Sequence, residues 1–300
     1  MSIEKAIEEF LHAQRLPEAF IGQTKQWFLP LAAQLAAHRQ QANRPLTVGI
    51  NGSQGSGKST LAALLRLLLE RIHDLRAIDL SIDDFYLTRT ERESLAADVH
   101  PLLATRGVPG THDIDLMRST LDALTHTPGQ VAIPRFDKAQ DDRLPPGQWT
   151  PVESPLDMVI IEGWCLGVRA QSEKNLIPPV NRLEAQEDSE AVWRRHVNTQ
   201  IAQHYEPLYE RVDIWIVLQA PSFDSVYQWR LEQEQKLIKA TGQPGSRLMT
   251  PSQLARFIQH YQRLTEHMLQ TLPAQAHYLF RLDPQRRIIE TRQPRGMSTR

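Results

Sequence analysis

Residues 46–72 read LTVGINGSQGSGKSTLAALLRLLLERI, and three signals follow one another within them. Leu46–Ile50 is a short β-rich apolar run. Gly52-Ser53-Gln54-Gly55-Ser56-Gly57-Lys58-Ser59 fits G-x-x-x-x-G-K-[ST] without a mismatch. Lys58 to Ile72 has the density and spacing of an apolar helix. A strand, a glycine-rich loop and a helix in that order predict a phosphate cradle. The glycines let backbone N–H groups converge on phosphate oxygens, and the helix N-terminus adds its dipole. The loop from Gly52 through Thr60 is therefore the expected ATP site. Lys58 is expected at the β- and γ-phosphates as a catalytic cation, and the Ser59 hydroxyl on Mg²⁺. A chance match to the pattern arises in about one chain in a hundred of this length, and chance does not supply the flanking strand and helix.

Outward from this stretch the chain alternates. Residues 2–40 carry Ile3, Ala6, Ile7, Phe10, Leu11, Trp27, Phe28, Leu31 and Leu35 at helical spacing, with Pro30 interrupting or opening a helix. Ala77–Ile82 reads as a strand and Asp113–Leu124 as a helix. Residues 88–113 read as loop-rich, with Pro101, Gly107, Pro109 and Gly110, and 128–155 as a long proline-rich active-site loop with a short hairpin at most. Met158–Ile161 is a buried-strand pattern, 168–190 is polar and surface-like, and Ala191–Tyr209 is helical. Val212–Leu218 is a strand, and Ser222–Lys239 a helix capped by Ser222. Thr250-Pro251-Ser252-Gln253 opens a further helix with a capping box and a proline in its first turn. His277–Leu282 closes as a strand. This alternation predicts an α/β, P-loop NTPase fold: a doubly wound, mainly parallel sheet with helices on both faces and ligands at the carboxyl ends of its strands. The expected division is a helical extension over 1–44, a kinase domain over 45–285 and a basic tail over 286–300.

Composition sets the outer bounds. A hydrophobic content of 41% supports a substantial core, and a formal charge of −1 gives no global field toward nucleic acid or an anionic membrane. The single cysteine, Cys165, fits a reducing compartment. The first residues show no apolar signal segment, and Leu61–Leu69 is interrupted by Arg66. The expectation is a soluble, cytoplasmic protein that acts on a small molecule. Neither nucleic acid nor membrane is an expected partner, and nothing in the sequence fixes an oligomeric state.

The residues after the strands carry the chemistry. Ser81-Ile-Asp83-Asp84 ends the second strand, and a kinase for a small alcohol needs a carboxylate to orient a hydroxyl and take its proton. Asp83 is the preferred base, and Asp84 reads equally as a turn cap. Glu162, at the end of the buried run Met158–Ile161, stands where a carboxylate would act on Mg²⁺ through its water shell. Arg106 to Asp113 and Pro134 to Arg143 are turn-rich and dense in charge, suited either to an acidic substrate or to surface ion pairs. On the helix from Ser222, Arg230 and Glu234 fit a plain i,i+4 surface pair. Alternatively, Arg230 and Lys236 belong to a closing lid.

Taken together, the phosphate loop, SIDDFY at 81–86, RGVPGTHD at 106–113, PRFDKAQDDR at 134–143, IIEGWCLG at 160–167 and VYQWRLEQE at 226–234 resemble the D-glycerate 3-kinase family. That family lies within the phosphoribulokinase/uridine kinase group of P-loop kinases. The resemblance implies transfer of the ATP γ-phosphoryl to a primary hydroxyl of D-glycerate, giving 3-phosphoglycerate. It implies Asp83 as base, Glu162 on the metal and Arg230 in the lid. It also implies Arg106, His112, Asp137, Lys138 and Arg143 as substrate-pocket residues. One departure is the short Ala139-Gln140-Asp141 stretch between Lys138 and Asp142, where the family often carries a longer, glycine-rich segment. Uridine, pantothenate or a sugar phosphate as acceptor, or an ATP-binding switch without catalysis, are the competing readings. The absence of Asn-Lys-x-Asp argues against a guanine-nucleotide switch.

Overall fold

The computed structural model describes residues 3–241 and 249–293, with 236–241 described by their backbone alone. The chain opens with α1 (Ile3–Ala13) and α2 (Ala19–Gln23), the latter running through a π turn (Thr24–Phe28) into α3 (Leu29–Ala42). Then come β1 (Leu46–Gly52), α4 (Lys58–His73), β2 (Ala77–Ser81), α5 (Arg89–Asp98) and α6 (Ile114–His126). β3 (Gly129–Ile133), β4 (Phe136–Asp137), β5 (Asp142–Arg143) and β6 (Thr150–Ser154) precede β7 (Met158–Gly163). The short helices α7 (Glu173–Leu176) and α8 (Arg182–Glu187) lead to α9 (Val192–Gln200) and α10 (Glu206–Tyr209). The final elements are β8 (Ile214–Gln219), α11 (Phe223–Thr241), α12 (Pro251–Gln275), β9 (Tyr278–Leu282) and β10 (Ile288–Arg292).

The main sheet has the order β10-β9-β8-β1-β7-β2. Every pairing in it is parallel except β10 on β9. Helices cover both faces, as the alternating pattern predicts. β1 and β7 are buried along their whole length, which is why they read as continuous apolar runs rather than alternating ones. α4 buries Leu61, Leu64, Leu65, Leu68 and Leu69, each worth about 1.5–3 kcal/mol on removal from water. Ile7, Leu11, Phe28, Leu31 and Leu35 from the first helices enter the same core, so residues 3–42 pack as part of the body that holds the phosphate loop.

Four expectations need correction. Residues 88–113 contain α5, opened by a capping box in which the Thr88 hydroxyl accepts from Glu91 N and Glu91 accepts from Thr88 N at 2.7 Å. The span 128–155 forms two strand pairs, β3 with β6 and β4 with β5, rather than a long loop with one short hairpin at most. The polar stretch 168–190 is not all surface: Glu184 and Asp188 are buried, paired with Arg263 and Arg194. Within the span read as a basic tail, residues 288–292 form the edge strand β10, where Glu290 takes Arg281 at 2.8 Å. Residues 294–300 lie outside the described residues. Among the described residues no helix is long and apolar enough to cross a membrane.

Candidate active site

The carboxyl ends of β1, β7 and β2 lie side by side, with Ile50 and Ser81 flanking Glu162 in register. The phosphate loop leaves β1 here. At Gly55, φ is +79° and a Cβ would sit 2.7 Å from the Trp229 Cβ, so only glycine lets α11 rest against the loop. The Ser56 N–H donates to Ser53 O at 3.1 Å, and Arg286 Nε donates to Gly55 O at 2.8 Å. The peptide between Gly55 and Ser56 is thereby held from both sides.

Ser59 Oγ donates to Glu162 Oε1 at 2.7 Å, and Lys58 Nζ lies 3.6 Å from Glu162 Oε2. That second oxygen is buried without a hydrogen-bond partner. A hydroxyl and a carboxylate with a spare oxygen, beside a phosphate loop, fit an Mg²⁺ site. No group of three or more His, Cys, Asp or Glu side chains able to hold a metal occurs among the described residues. The arrangement therefore suits an ion held largely by nucleotide and water.

Asp83 stands on a 3₁₀ turn (Ile82–Phe85) directly after β2, its N–H received by Ser81 Oγ. Oδ1 accepts from Tyr86 OH at 2.9 Å and Oδ2 from Lys138 Nζ at 2.7 Å. Burial pushes this carboxyl upward, but the charges of Lys138 and Lys58 outweigh it and hold the group at about 2. Asp84 takes Arg135 at 2.8 Å and Phe136 N at 3.4 Å. It thereby anchors the segment that carries Lys138.

A cleft of about 620 Å³ joins these groups, lined among others by Gln54, Gly55, Lys58, Ser59, Asp83, Arg106, Lys138, Glu162 and Arg230. These are residues the sequence singled out. Arg106 is tied to Asp141 and lies 5.3 Å over the Phe136 ring. The short Ala139–Asp141 turn thus serves to bring a counter-charge to Arg106, and the same Asp141 takes Arg92 at 3.1 Å. Arg230 does pair with Glu234 at 2.9 Å, but not at the surface. Glu234 is buried and also accepts from Met249 N, which ties α11 to the start of α12. Arg230 itself faces the cleft. The side chain of Lys236 lies outside the described residues.

Three expected pocket residues do not line the cleft. Asp137 caps its own turn, accepting from Ala139 N and Gln140 N. Arg143 bonds Asp113 at 3.0 Å, the N-cap of α6. His112 is buried behind Tyr86, stacked on it at 4.5 Å and 2.7 Å from Tyr205 OH. Burial pushes its imidazole down to about 4 against the pull of Asp83. The cleft also includes residues that sequence reasoning passed over: Arg15, Tyr86, Gln233, Phe257 and Tyr261. Phe257 and Tyr261 were readable only as the apolar face of α12.

Residues 47–176 match the phosphoribulokinase/uridine kinase family. The chain is 34% identical to the uncharacterized kinase mug58 of Schizosaccharomyces pombe, over 78% of this chain and 84% of that one. It is 30% identical to the chloroplastic D-glycerate 3-kinase of Arabidopsis thaliana over 77% of its own length, and spans 49% of that longer protein. The solved D-glycerate 3-kinase from Cryptococcus neoformans var. grubii is similar to it with a TM-score of 0.72 at 26% identity, covering 89% of this chain and 98% of that one.

Proposed function

The chain belongs to the phosphoribulokinase/uridine kinase family, and from that premise we propose that it phosphorylates the primary hydroxyl of D-glycerate with ATP, giving 3-phosphoglycerate. The observation that carries this reading is the placement of Asp83: its carboxylate opens on the same cleft as Lys58, Ser59 and Glu162, with Lys138 at 2.7 Å and Arg106 lining that cleft. A small hydroxy acid presents a carboxylate for those cations and a hydroxyl for Asp83. A neutral nucleoside would offer those cations no anionic group in exchange for Asp141 and Asp83. The likeness to two D-glycerate 3-kinases supports the same acceptor.

In this reading the loop N–H groups and Lys58 hold the β- and γ-phosphates, and Asp83 orients the acceptor hydroxyl and takes its proton as the new O–P bond forms. The bond to the β-phosphate oxygen breaks, leaving ADP. Ser59 and Glu162 are the residues that would hold Mg²⁺, which when bound would supply neutralisation of the phosphate charge. Arg230 reaches the same cleft from α11, where a guanidinium offsets charge on the transferring group. The test is ADP release from purified protein with Mg·ATP and a panel of D-glycerate, L-glycerate, uridine, pantothenate and ribulose 5-phosphate. Release with D-glycerate alone and 3-phosphoglycerate as product is the expected result. Release only with another acceptor overturns the glycerate assignment and keeps the kinase.

A further inference from the structure

Five cations line the cleft, and four of them are already paired. Lys58 faces Glu162, Arg106 is tied to Asp141, Lys138 to Asp83 and Arg230 to Glu234. The fifth, Arg15, lines the cleft with no hydrogen bond or ion pair from its guanidinium among the described residues. It comes from the turn between α1 and α2, far in sequence from every other lining residue. Its backbone is left-handed, with φ at +53°. The turn closes α1 through Arg15 N to His12 O at 3.1 Å and Leu16 N to Leu11 O at 2.9 Å. Glycine is the residue that such a helix end favours, and an arginine there is held at a conformational cost. Backbone strain of this kind collects where a side chain serves a ligand. The turn is also rigidly delivered: Ile7 and Leu11 are buried, and α1 packs on α4, the helix that begins at Lys58.

We propose that Arg15 is a nucleotide-binding residue, and that the N-terminal helices bring its guanidinium to the phosphate chain of ATP held at Lys58 and Ser59. This rests on the nucleotide reading of the cleft. The acceptor-side cations Arg106 and Lys138 arrive on other segments and are countered by Asp141 and Asp83. A guanidinium without a protein counter-charge among the described residues, carried at the end of a helix that packs on α4, is free to take phosphate oxygens in addition to Lys58.

The experiment is calorimetric titration of the full chain with Mg²⁺ and a non-hydrolysable ATP analogue, in wild type, Arg15→Ala, Arg15→Gly, Arg15→Lys and Lys58→Ala. Arg15→Ala and Arg15→Gly should each weaken binding about five- to tenfold, the size of one solvent-accessible charge-assisted contact, and Arg15→Lys should recover part of the loss. Arg15→Gly should melt no earlier than wild type, and by relief of the left-handed backbone about 2–4 °C later. Affinity lost together with a lower Tm in Arg15→Gly makes the effect structural and overturns the proposal. Unchanged affinity in the Arg15 variants with binding abolished in Lys58→Ala also overturns it, while leaving the nucleotide site in place. Unchanged affinity in Lys58→Ala as well would remove the nucleotide reading itself.

Discussion

The ammonium of Lys138 lies 2.7 Å from Oδ2 of Asp83, so the carboxylate that heads the cleft is neutralised before any acceptor arrives. The two partners are not held alike. The Lys138 side chain is 62% exposed, whereas that of Asp83 is 28% exposed and is fixed on its other oxygen by Tyr86. Lys138 is therefore the partner able to swing. An anionic acceptor can take its ammonium as counter-ion and leave Asp83 facing the hydroxyl. In the proposed reaction, such coupling of Asp83 release to the arrival of an acid would favour acids over neutral alcohols as acceptors.

Asp83→Asn should lower kcat by about 10²–10⁴-fold, the usual contribution of a positioned base, while ATP affinity stays near wild type. Asparagine keeps an oxygen to accept from Tyr86 but gives up the ion pair with Lys138, so stability should fall and rates are compared where both proteins remain folded. ADP release with acceptor present, set beside a nucleotide titration, separates the two effects. Wild-type turnover in this variant would remove Asp83 from the chemistry.

The pH behaviour follows from the same pair. The carboxyl of Asp83 is depressed from 3.8 to about 2. It therefore contributes stability that is present above pH 3.8 and is lost as pH falls through about 2. A carboxyl at about 2 is ionised throughout the neutral range, so no acid limb from Asp83 should appear in the rate profile near neutrality. Lys138→Met removes the largest opposing charge, so burial pushes the carboxyl up against Lys58 alone among the nearby lysines. The acid limb of kcat/KM should then move to higher pH, measurable from pH 4 to 8. An unmoved limb would mean that Lys138 does not govern Asp83.

Glu162→Gln should raise the Mg²⁺ concentration needed for half-maximal activity and reduce kcat by about a hundredfold, with ATP binding less affected. Glutamine retains an oxygen for the Ser59 hydroxyl but loses the charge next to Lys58. A titration of rate against Mg²⁺ at fixed ATP reads the difference. Equal Mg²⁺ dependence in the two proteins would place the metal elsewhere.

The sheet and the phosphate loop were legible because their signals are local: β1, the loop and α4 are contiguous, and β7 ends on Glu162 in a continuous apolar run. Asp83 was legible by the same logic, as the residue just past a strand. Three residues that the resemblance implied for the pocket do not line the cleft. Arg143, Asp137 and His112 stand in motifs rich in charge, yet their partners are Asp113, local backbone N–H groups and Tyr205. Nothing in sequence spacing separates an arginine that braces a helix cap from one that lines a cleft. α5 was missed despite its Thr88 and Glu91 box, because the glycines and prolines further on dominated the reading of 88–113. Arg15 and Tyr261 reach the cleft through tertiary packing from segments 246 residues apart, which no local signal records.

Gly107 tests whether that packing places Arg106. Its φ is +134°, and a Cβ there would lie 2.3 Å from the Tyr261 hydroxyl. The residue is also held by polar contacts: its N–H donates to Thr111 Oγ1 at 3.0 Å, and its carbonyl accepts from Trp164 Nε1 at 2.8 Å. The Tyr261 hydroxyl in turn donates to the Arg106 carbonyl at 3.1 Å. Gly107→Ala cannot relax by backbone shift without breaking those bonds, so Tyr261 must be displaced. The strained backbone and the steric conflict together should cost about 2–4 kcal/mol of stability. Tyr261→Phe, which only removes the hydroxyl, should cost about 1 kcal/mol. If this packing positions Arg106 for the acceptor, Gly107→Ala should raise the acceptor KM well beyond the effect of Tyr261→Phe, at temperatures where both variants remain folded. Equal KM values in the two variants would mean that Arg106 is positioned by Asp141 and Phe136 alone.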